Sequence, residues 1–330
     1  MNDIILGIET SCDDTAVALV DSEGTILSSV IASQLDVHAE FGGIYPEFAA
    51  RAHISAILPA VQKAFKNAGI APNDIKAIGV TRGPGLIGSL LVGLNTAKGL
   101  GMGWEKPVIG INHLRGHLRS ADLEQKRVVY PATVLLVSGG HTLLAYMKNP
   151  SEIELLGTTT DDSVGECYDK VGRMLGLGYP GGPVVDRLAM KGTATIPFPR
   201  PVINKGLEFS FSGLKSAVAR FMDATPDAIH ENIAASFVQS VMEVLIKKSQ
   251  VALTLYPSRS FVIVGGVAAS PQLREEAAIL CNKLNVELCL PPLRWSTDNA
   301  AMIALATFDY LHLSMEKKPV ADLQLKITDF

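Results

Sequence analysis

The sequence predicts an α/β protein of two similar domains facing a central cleft. Three observations lead there. The chain has 330 residues, too many for one ordinary core and a natural length for two. A strand–turn–strand–strand pattern followed by helices occurs twice, near residue 4 and near residue 132. Each opening strand ends in a turn of small or acidic residues, which would point into the cleft.

Taken in order, Ile4–Ile8 is an apolar strand, Glu9–Asp14 a polar turn and Thr15–Val20 the return strand. Asp21-Ser22-Glu23-Gly24 turns the chain into a third strand, Thr25–Ile31. From Glu47 to Ala68, residues Phe48, Ala52, Ile54, Ile57, Leu58, Val61 and Phe65 recur at helical spacing. Ile75–Thr81 is a strand, Arg82–Gly85 a glycine loop, Leu86–Gly101 a helix rich in small residues, and Val108–Ile111 a short strand. The theme then repeats as strands Ala132–Val137, Thr142–Met147 and Ile153–Leu156. Helices follow near 164–176, 184–191, 213–223 and 227–254, then strand Phe261–Val264, a helix at 271–284 and a closing helix, Asn299–Leu313. The expected domains are 1–115 and 116–298, with the closing segment of about 299–330 able to return to the first.

Hydrophobic residues at 48% and charged residues at 19% describe a globular chain, not a disordered one. A net charge of -4 excludes a strongly basic nucleic-acid binder, so an RNA partner would need a local strip or a second protein. One such strip exists: Arg187, Lys191, Arg200, Lys205, Lys215 and Arg220 share their span with a single acid, Glu208. Four cysteines without a C-x-x-C pair suit a reduced, cytoplasmic setting. The N-terminus lacks a signal-peptide pattern, and glycines, Asn95 and Lys98 break the longest apolar stretch, so no membrane span is expected.

Candidate chemistry clusters in a few places. Asn112-His113-Leu114-Arg115-Gly116-His117 sets two histidines four apart on one helical face, where both can reach one ion. The same pattern fits two solvated or hydrogen-bonded histidines. Asp298, before the closing helix, could supply a third ligand or simply an N-cap. Ser138-Gly139-Gly140-His141 and Gly265-Gly266 each follow a buried strand, and such glycines let backbone N–H groups approach an anion. Either could equally be an ordinary tight turn. Asp161 and Asp162 fit a helix start, whereas Asp169 lies deeper in that helix; Asp169 and Asp186 could hold a ribose.

The ordered segments GIETSCDDT (7–15), FGGIYPEFAARAH (41–53), GPGLIGSLLVG (83–93), NHLRGH (112–117), LVSGGHT (136–142), GLGYPGGPVVD (176–186), FSFSGLKSAV (209–218), FVIVGGVAAS (261–270) and STDNAAMIA (296–304) together resemble the Kae/TsaD family of tRNA threonylcarbamoyladenosine synthases. The resemblance spans essentially the whole chain and leans to the bacterial branch. It implies two duplicated actin/Hsp70-like ATPase-fold domains. It implies a divalent metal, iron or zinc, on His113, His117 and Asp298. Nucleotide or acyl-adenylate contacts carry over to Leu136, Val137, Ser138, Gly139, Gly140 and His141, to Asp169, Gly182 and Asp186, and to Gly265, Gly266 and Ser270. The family usually has Asn at the position of Ser270 and commonly Glu at that of Arg115.

The implied reaction moves a threonylcarbamoyl group from threonylcarbamoyl-AMP to N6 of the adenosine 3′ of the anticodon, with ATP or ADP as possible occupants of the nucleotide site. Asp13 or Asp14, in the first hairpin turn, is the candidate base. The implied partners are tRNA, a paralogue of the same fold and a small ATPase, with homo- or heterodimer contacts through the N-terminal helices. Three rivals compare poorly. A zinc peptidase needs Glu directly after the first histidine, where this chain has Leu114. A sugar kinase has no role for two ligating histidines, and a non-catalytic scaffold has no use for His113, His117 and Asp298.

Overall fold

A computed structural model of the protein describes residues 2–34, 44–124, 127–178, 180–313 and 319–329. Phe41, Gly42 and Gly43 of the second motif, and Tyr179 before Pro180, lie outside the described residues. The chain divides into two compact units. Unit 1 is residues 1–127 with 291–330, and unit 2 is 128–290. The expected division at 115/116 falls inside a helix, which one unit must keep whole, and Asp298 belongs to unit 1 rather than to the second half.

Unit 1 carries strands β1 (Ile4–Glu9), β2 (Thr15–Asp21), β3 (Ile26–Ala32), β4 (Ala77–Gly83) and β5 (Val108–Asn112) in the order β3-β2-β1-β4-β5. The first three are antiparallel; β4 and β5 run parallel to β1. One face packs helices α1 (Pro46–Ala68) and α2 (Ile87–Trp104) through Leu6, Ile8, Val17, Leu19, Ile57, Val61, Phe65 and Leu94. α1 stops at Gly69, whose φ of 67° is the left-handed turn that glycine adopts without strain. After β5 comes the short helix α3 (His113–Arg119).

In unit 2 the strands are β6 (Ala132–Val137), β7 (Thr142–Met147), β8 (Ile153–Thr158), β9 (Ser260–Val264) and β10 (Glu287–Cys289). Their order, β8-β7-β6-β9-β10, repeats unit 1 strand for strand, again three antiparallel then two parallel. Both sheets break register between second and third strands, at Leu19/Val20 and at Leu144/Ala145. Strand β10 has no counterpart in the sequence reading, because three residues are too few to show a period. Helices α4 (Val164–Met174), α5 (Gly182–Ala189), α6 (Ser212–Ala224), α7 (His230–Leu255) and α8 (Pro271–Leu284) complete the unit. Their core includes Tyr168, Phe209, Phe211, Phe237, Val241 and Leu245.

The last helix, α9 (Ala300–Phe308), covers the second face of the unit 1 sheet, and every residue from Ala300 to Thr307 is buried. Side chains such as Ile303 and Leu305 each contribute about 1.5–3 kcal/mol by leaving water. The helix lies so close to β1 that a methyl at Gly7 would overlap the Ala300 carbonyl and the Ala304 backbone. It ends at Phe308 rather than at the expected Leu313. The chain turns at Asp309, whose carboxylate lies 3.0 Å from Arg119 Nε.

Candidate metal centre and nucleotide cradle

In unit 1 the site begins at the end of β5. Asn112 caps α3, its Oδ1 accepting from Leu114 N at 2.9 Å and from Arg115 N at 3.4 Å. The cap starts the helix at His113, so His113 and His117 sit one turn apart with ring centroids 4.7 Å from each other. Tight packing of α9 on β1 delivers Asp298 to the same place. Asp298 Oδ1 is 2.9 Å from His117 Nε2 and 3.6 Å from His113 Nε2.

This geometry suits an ion better than a hydrogen-bond network. His117 is fully buried, yet neither of its ring nitrogens makes a hydrogen bond, although Nε2 faces the Asp298 carboxylate. The three ligand atoms lie within 4.8 Å of one another. Three protein ligands leave coordination positions open, as a catalytic metal requires. The cap of α9 is Asn299, which accepts from Met302 N at 2.9 Å, so capping that helix does not fall to Asp298.

Glu9 completes the cluster and escaped the sequence reading. It ends β1 nearly fully buried and accepts from Ser11 N at 2.5 Å and Thr81 Oγ1 at 2.6 Å. Its Oε2 is 3.0 Å from His113 Nδ1, so that nitrogen donates and Nε2 is left to face Asp298. The readable signal was a carboxylate closing an otherwise apolar strand. Burial alone disfavours both charges. The pairing prevails: Glu9 is held below the usual carboxylate range, and Glu9 with Asp298 pushes His113 up to about 9.

The adjoining turn is anchored from two sides. His53 on α1 contacts Thr15 Oγ1 at 2.7 Å and the Cys12 carbonyl at 3.0 Å, and Leu86 N donates to the Ser11 carbonyl at 2.8 Å. Asp13 and Asp14 are half-buried there. Burial raises the pKa of Asp14, whose Oδ1 makes no hydrogen bond. Burial also lifts the Cys12 thiol far above its usual range.

In unit 2, the Ser138–His141 turn closes on itself. Ser138 N donates to the His141 carbonyl at 2.8 Å and His141 N to Ser138 Oγ at 3.1 Å. Gly139 and Gly140 are exposed, with nothing within 4 Å of where a Cβ would stand. Leu136 and Val137 are fully buried strand residues, so only their backbone could meet a ligand. Gly265, at φ 93°, packs under the same turn, where a side chain would strike the Val137 carbonyl; its role is close packing. Gly266 beside it is half-buried.

Asp169 is engaged, accepting from Gly181 N at 2.8 Å, which ties α4 to the start of α5 beside Gly182. Burial raises its pKa, and the Gly181 and Gly182 N–H groups pull it back only in part. Asp186 differs. Burial raises it too; the Ser270 and Tyr168 hydroxyls lie beside it, and its Oδ1 stays without a hydrogen bond. Tyr168 was not anticipated, because it reads as core.

Two expectations from charge need correction. Asp161 does not serve its own helix, which Ser163 caps; it accepts from Phe211 N at 2.7 Å and Ser212 N at 3.2 Å at the start of α6. The basic strip is partly neutralised by acids distant in sequence. Lys215 lies 2.7 Å from Asp162, and Arg200 grips Glu243 at 2.8 and 2.9 Å. Arg187, Lys191, Lys205 and Arg220 remain exposed. No described helix is long and apolar enough to cross a membrane.

Comparisons with known proteins bear on the family and the fold. The chain is 46% identical over 321 residues to the tRNA N6-adenosine threonylcarbamoyltransferase of Carboxydothermus hydrogenoformans, covering 97% of this chain and 96% of that one. It is 46% identical over 326 residues to the Streptococcus pyogenes (serotype M5) protein of the same name, covering 96% and 94%. Among solved structures, HypF from T. kodakarensis aligns at TM-score 0.66 and 12% identity over 96% of this chain and 49% of that one. Component A of the Acidaminococcus fermentans (R)-2-hydroxyglutaryl-CoA dehydratase aligns at 0.56 and 17% over 92% and 97%. These two speak for the fold alone, the actin/Hsp70-like ATPase fold. With residues 25–305 matching its family description, the chain belongs to the tRNA N6-adenosine threonylcarbamoyltransferase family.

Proposed function

We propose that this protein transfers a threonylcarbamoyl group from threonylcarbamoyl-AMP to N6 of the adenosine 3′ of the anticodon in tRNA. The observation that carries the reading is the convergence of His113, His117 and Asp298, backed by Glu9, in a chain of this family. A bound divalent iron or zinc ion would supply Lewis acidity toward the donor carbonyl. Glu9 keeps the His113 Nδ1 proton in place, so Nε2 serves as ligand. In the transfer, the adenosine amine forms the new C–N bond, the carbonyl–phosphate C–O bond breaks, and AMP leaves with that electron pair. The amine proton passes to a carboxylate of the first turn. Asp14 suits this task better than a fully solvated acid because burial raises its pKa.

Unit 2 holds the nucleotide portion, whether of the donor or of ATP or ADP. The Gly139 and Gly140 N–H groups face its phosphate. Asp186, with an oxygen to spare, takes the ribose, while Asp169 fixes the corner. Transfer RNA meets Arg187, Lys191, Lys205 and Arg220. The paralogous partner, joined by a small ATPase, takes the groove of about 510 Å³ between α1 and α2, lined by Ile54, Leu58, Leu91 and Leu100. Ala49, Gly93 and Ala97 on the same helices are buried, so they let the helices pack and take no part in that surface.

The test is single-turnover transfer into tRNA by metal-loaded protein, read by nucleoside mass. Product from wild type and none from Asp298→Ala is expected. No product from wild type with donor, tRNA and partners present sinks the reading. Metal-dependent peptide cleavage lost in His113→Ala would instead restore the peptidase, although buried Leu114 occupies the position of its base.

A further inference from the structure

The back of the metal-bearing helix is tied to a segment more than two hundred residues away. α3 has seven residues, too few to hold its own position. His113 and His117 share one face; Arg115, two residues on, points about 200° around the helix from His113. There Arg115 is buried and donates from Nε to the Ile327 carbonyl at 2.8 Å and from an Nη to the Thr328 carbonyl at 3.1 Å. Its other Nη donates to the Tyr310 hydroxyl, and the guanidinium lies 5.4 Å from that ring's centroid. Asn112 takes part as well. While its Oδ1 caps α3, its Nδ2 donates to the Lys326 carbonyl at 2.8 Å. Three consecutive carbonyls, 326 to 328, are therefore gripped by two side chains that frame the first histidine. Leu325 and Ile327, 4% and 2% exposed, anchor the segment in the core.

We propose that residues 325–328 clasp α3 and set the placement of His113 and His117, with Arg115 as the positioning residue. The grip is on backbone carbonyls, so the side chains of Lys326 and Thr328 are free to vary; both residues are exposed. Arg115 touches no ligand atom of the metal. It acts by denying α3 the small shift that would part the two Nε2 atoms, as outer residues around metal sites do. The planar fork of arginine reaches two carbonyls at once, which a lysine cannot reproduce.

The inference rests on the metal reading, and its test separates the two. The probe is Zn²⁺ alone, competed against a chromogenic chelator, on full-length protein, Arg115→Ala, Arg115→Lys, Lys326→Ala and a chain ending at Gln324. Thermal unfolding without metal is recorded in parallel. Arg115→Ala and the shortened chain should bind Zn²⁺ about 10–100-fold more weakly. Arg115→Lys should fall between, and Lys326→Ala should match wild type. Arg115→Ala within the shortened chain should add little, because both changes remove the same contacts. If the shortened chain does not fold, Ile327→Ser replaces it in this cycle. A purely structural role lowers the unfolding temperature while folded protein keeps wild-type Zn²⁺ affinity; that result, or additive losses, overturns the clasp. Absence of Zn²⁺ binding by wild type overturns the metal reading itself.

Discussion

The two units share one strand order and put opposite chemistry at the same turn. At the ends of β1 and β5, unit 1 presents a buried carboxylate, two imidazoles and half-buried acids, so this edge acts through side-chain charge. After β6, unit 2 presents Ser138, Gly139 and Gly140, so its turn acts through backbone N–H groups and open space. The neighbouring support differs accordingly. Glu9, Thr81 and Ser11 interlock around His113 by hydrogen bonds. The Ser138 turn is instead bedded on glycines: Gly165 N donates to the Ser138 carbonyl at 3.3 Å, and Gly265 packs against Val137. A duplicated scaffold thus fixes where a ligand can sit, while the residues of one turn decide which charge it meets.

The largest test of this contrast removes a charge. Asp298→Ala should abolish metal retention and cut transfer at least about a thousandfold, since ligand and orienting contacts are lost together. Stability should hold within about 0.5 kcal/mol because Asn299 keeps the cap. Elemental analysis beside single-turnover rates checks this; a variant with full metal and full rate returns the histidines to an ordinary buried pair.

Next come the glycines, where the contrast predicts a split. Gly265→Ala should destabilise the protein by about 1–3 kcal/mol, through overlap with Val137 and a strained φ of 93°. Gly139→Val has open space and should leave stability nearly unchanged, yet weaken adenylate binding by crowding the backbone. Denaturant melts and nucleotide titrations of both variants decide; a stability loss at Gly139 equal to that at Gly265 would erase the distinction.

The charged turn should also show in pH, and the uncharged one should not. His113 has a raised pKa, so its contribution is complete below its ordinary 6.5 and fades as pH rises through about 9. Glu9 is depressed, so its contribution is complete above its ordinary 4.5 and is lost as pH falls through the lower folded value. Metal-stripped protein should therefore draw most on the pair between pH 4.5 and 6.5, with a declining share up to about 9. Glu9→Gln should flatten both slopes in thermal melts against pH. Parallel wild-type and variant curves would remove Glu9 from the cluster.

The smallest effect concerns RNA. Lys205→Glu and Arg220→Glu should each lower the salt slope of tRNA binding by about one unit. Charge reversal at Arg200, already held by Glu243, should act mainly on stability. Equal slopes for all three variants and wild type would place the RNA surface elsewhere.

Strand and helix order was legible in the sequence because apolar runs and glycine turns are local signals. The histidine pair was legible for the same reason, through four-residue spacing. What stayed hidden depends on distant residues. Glu9 gains meaning only when β5 brings His113 beside β1. The basic strip loses two of its charges to Asp162 and Glu243, which no count within 187–220 could include. Asp169 shows the same dependence on distant residues: its position inside α4 was legible, but its hydrogen bond from Gly181 N, which fastens the next helix, was not.

Unit 1 is assembled from both ends of the chain, with unit 2 inserted between residues 127 and 291. On a ribosome adding about 5–20 residues per second, the first sheet emerges with one face bare and waits for all of unit 2 before α9 arrives to cover it. Asp298 emerges just ahead of that helix. Asp298, the proposed third ligand, is therefore delivered by the step that seals the core, so the proposed three-ligand site cannot be complete on a nascent chain before its first half has finished folding.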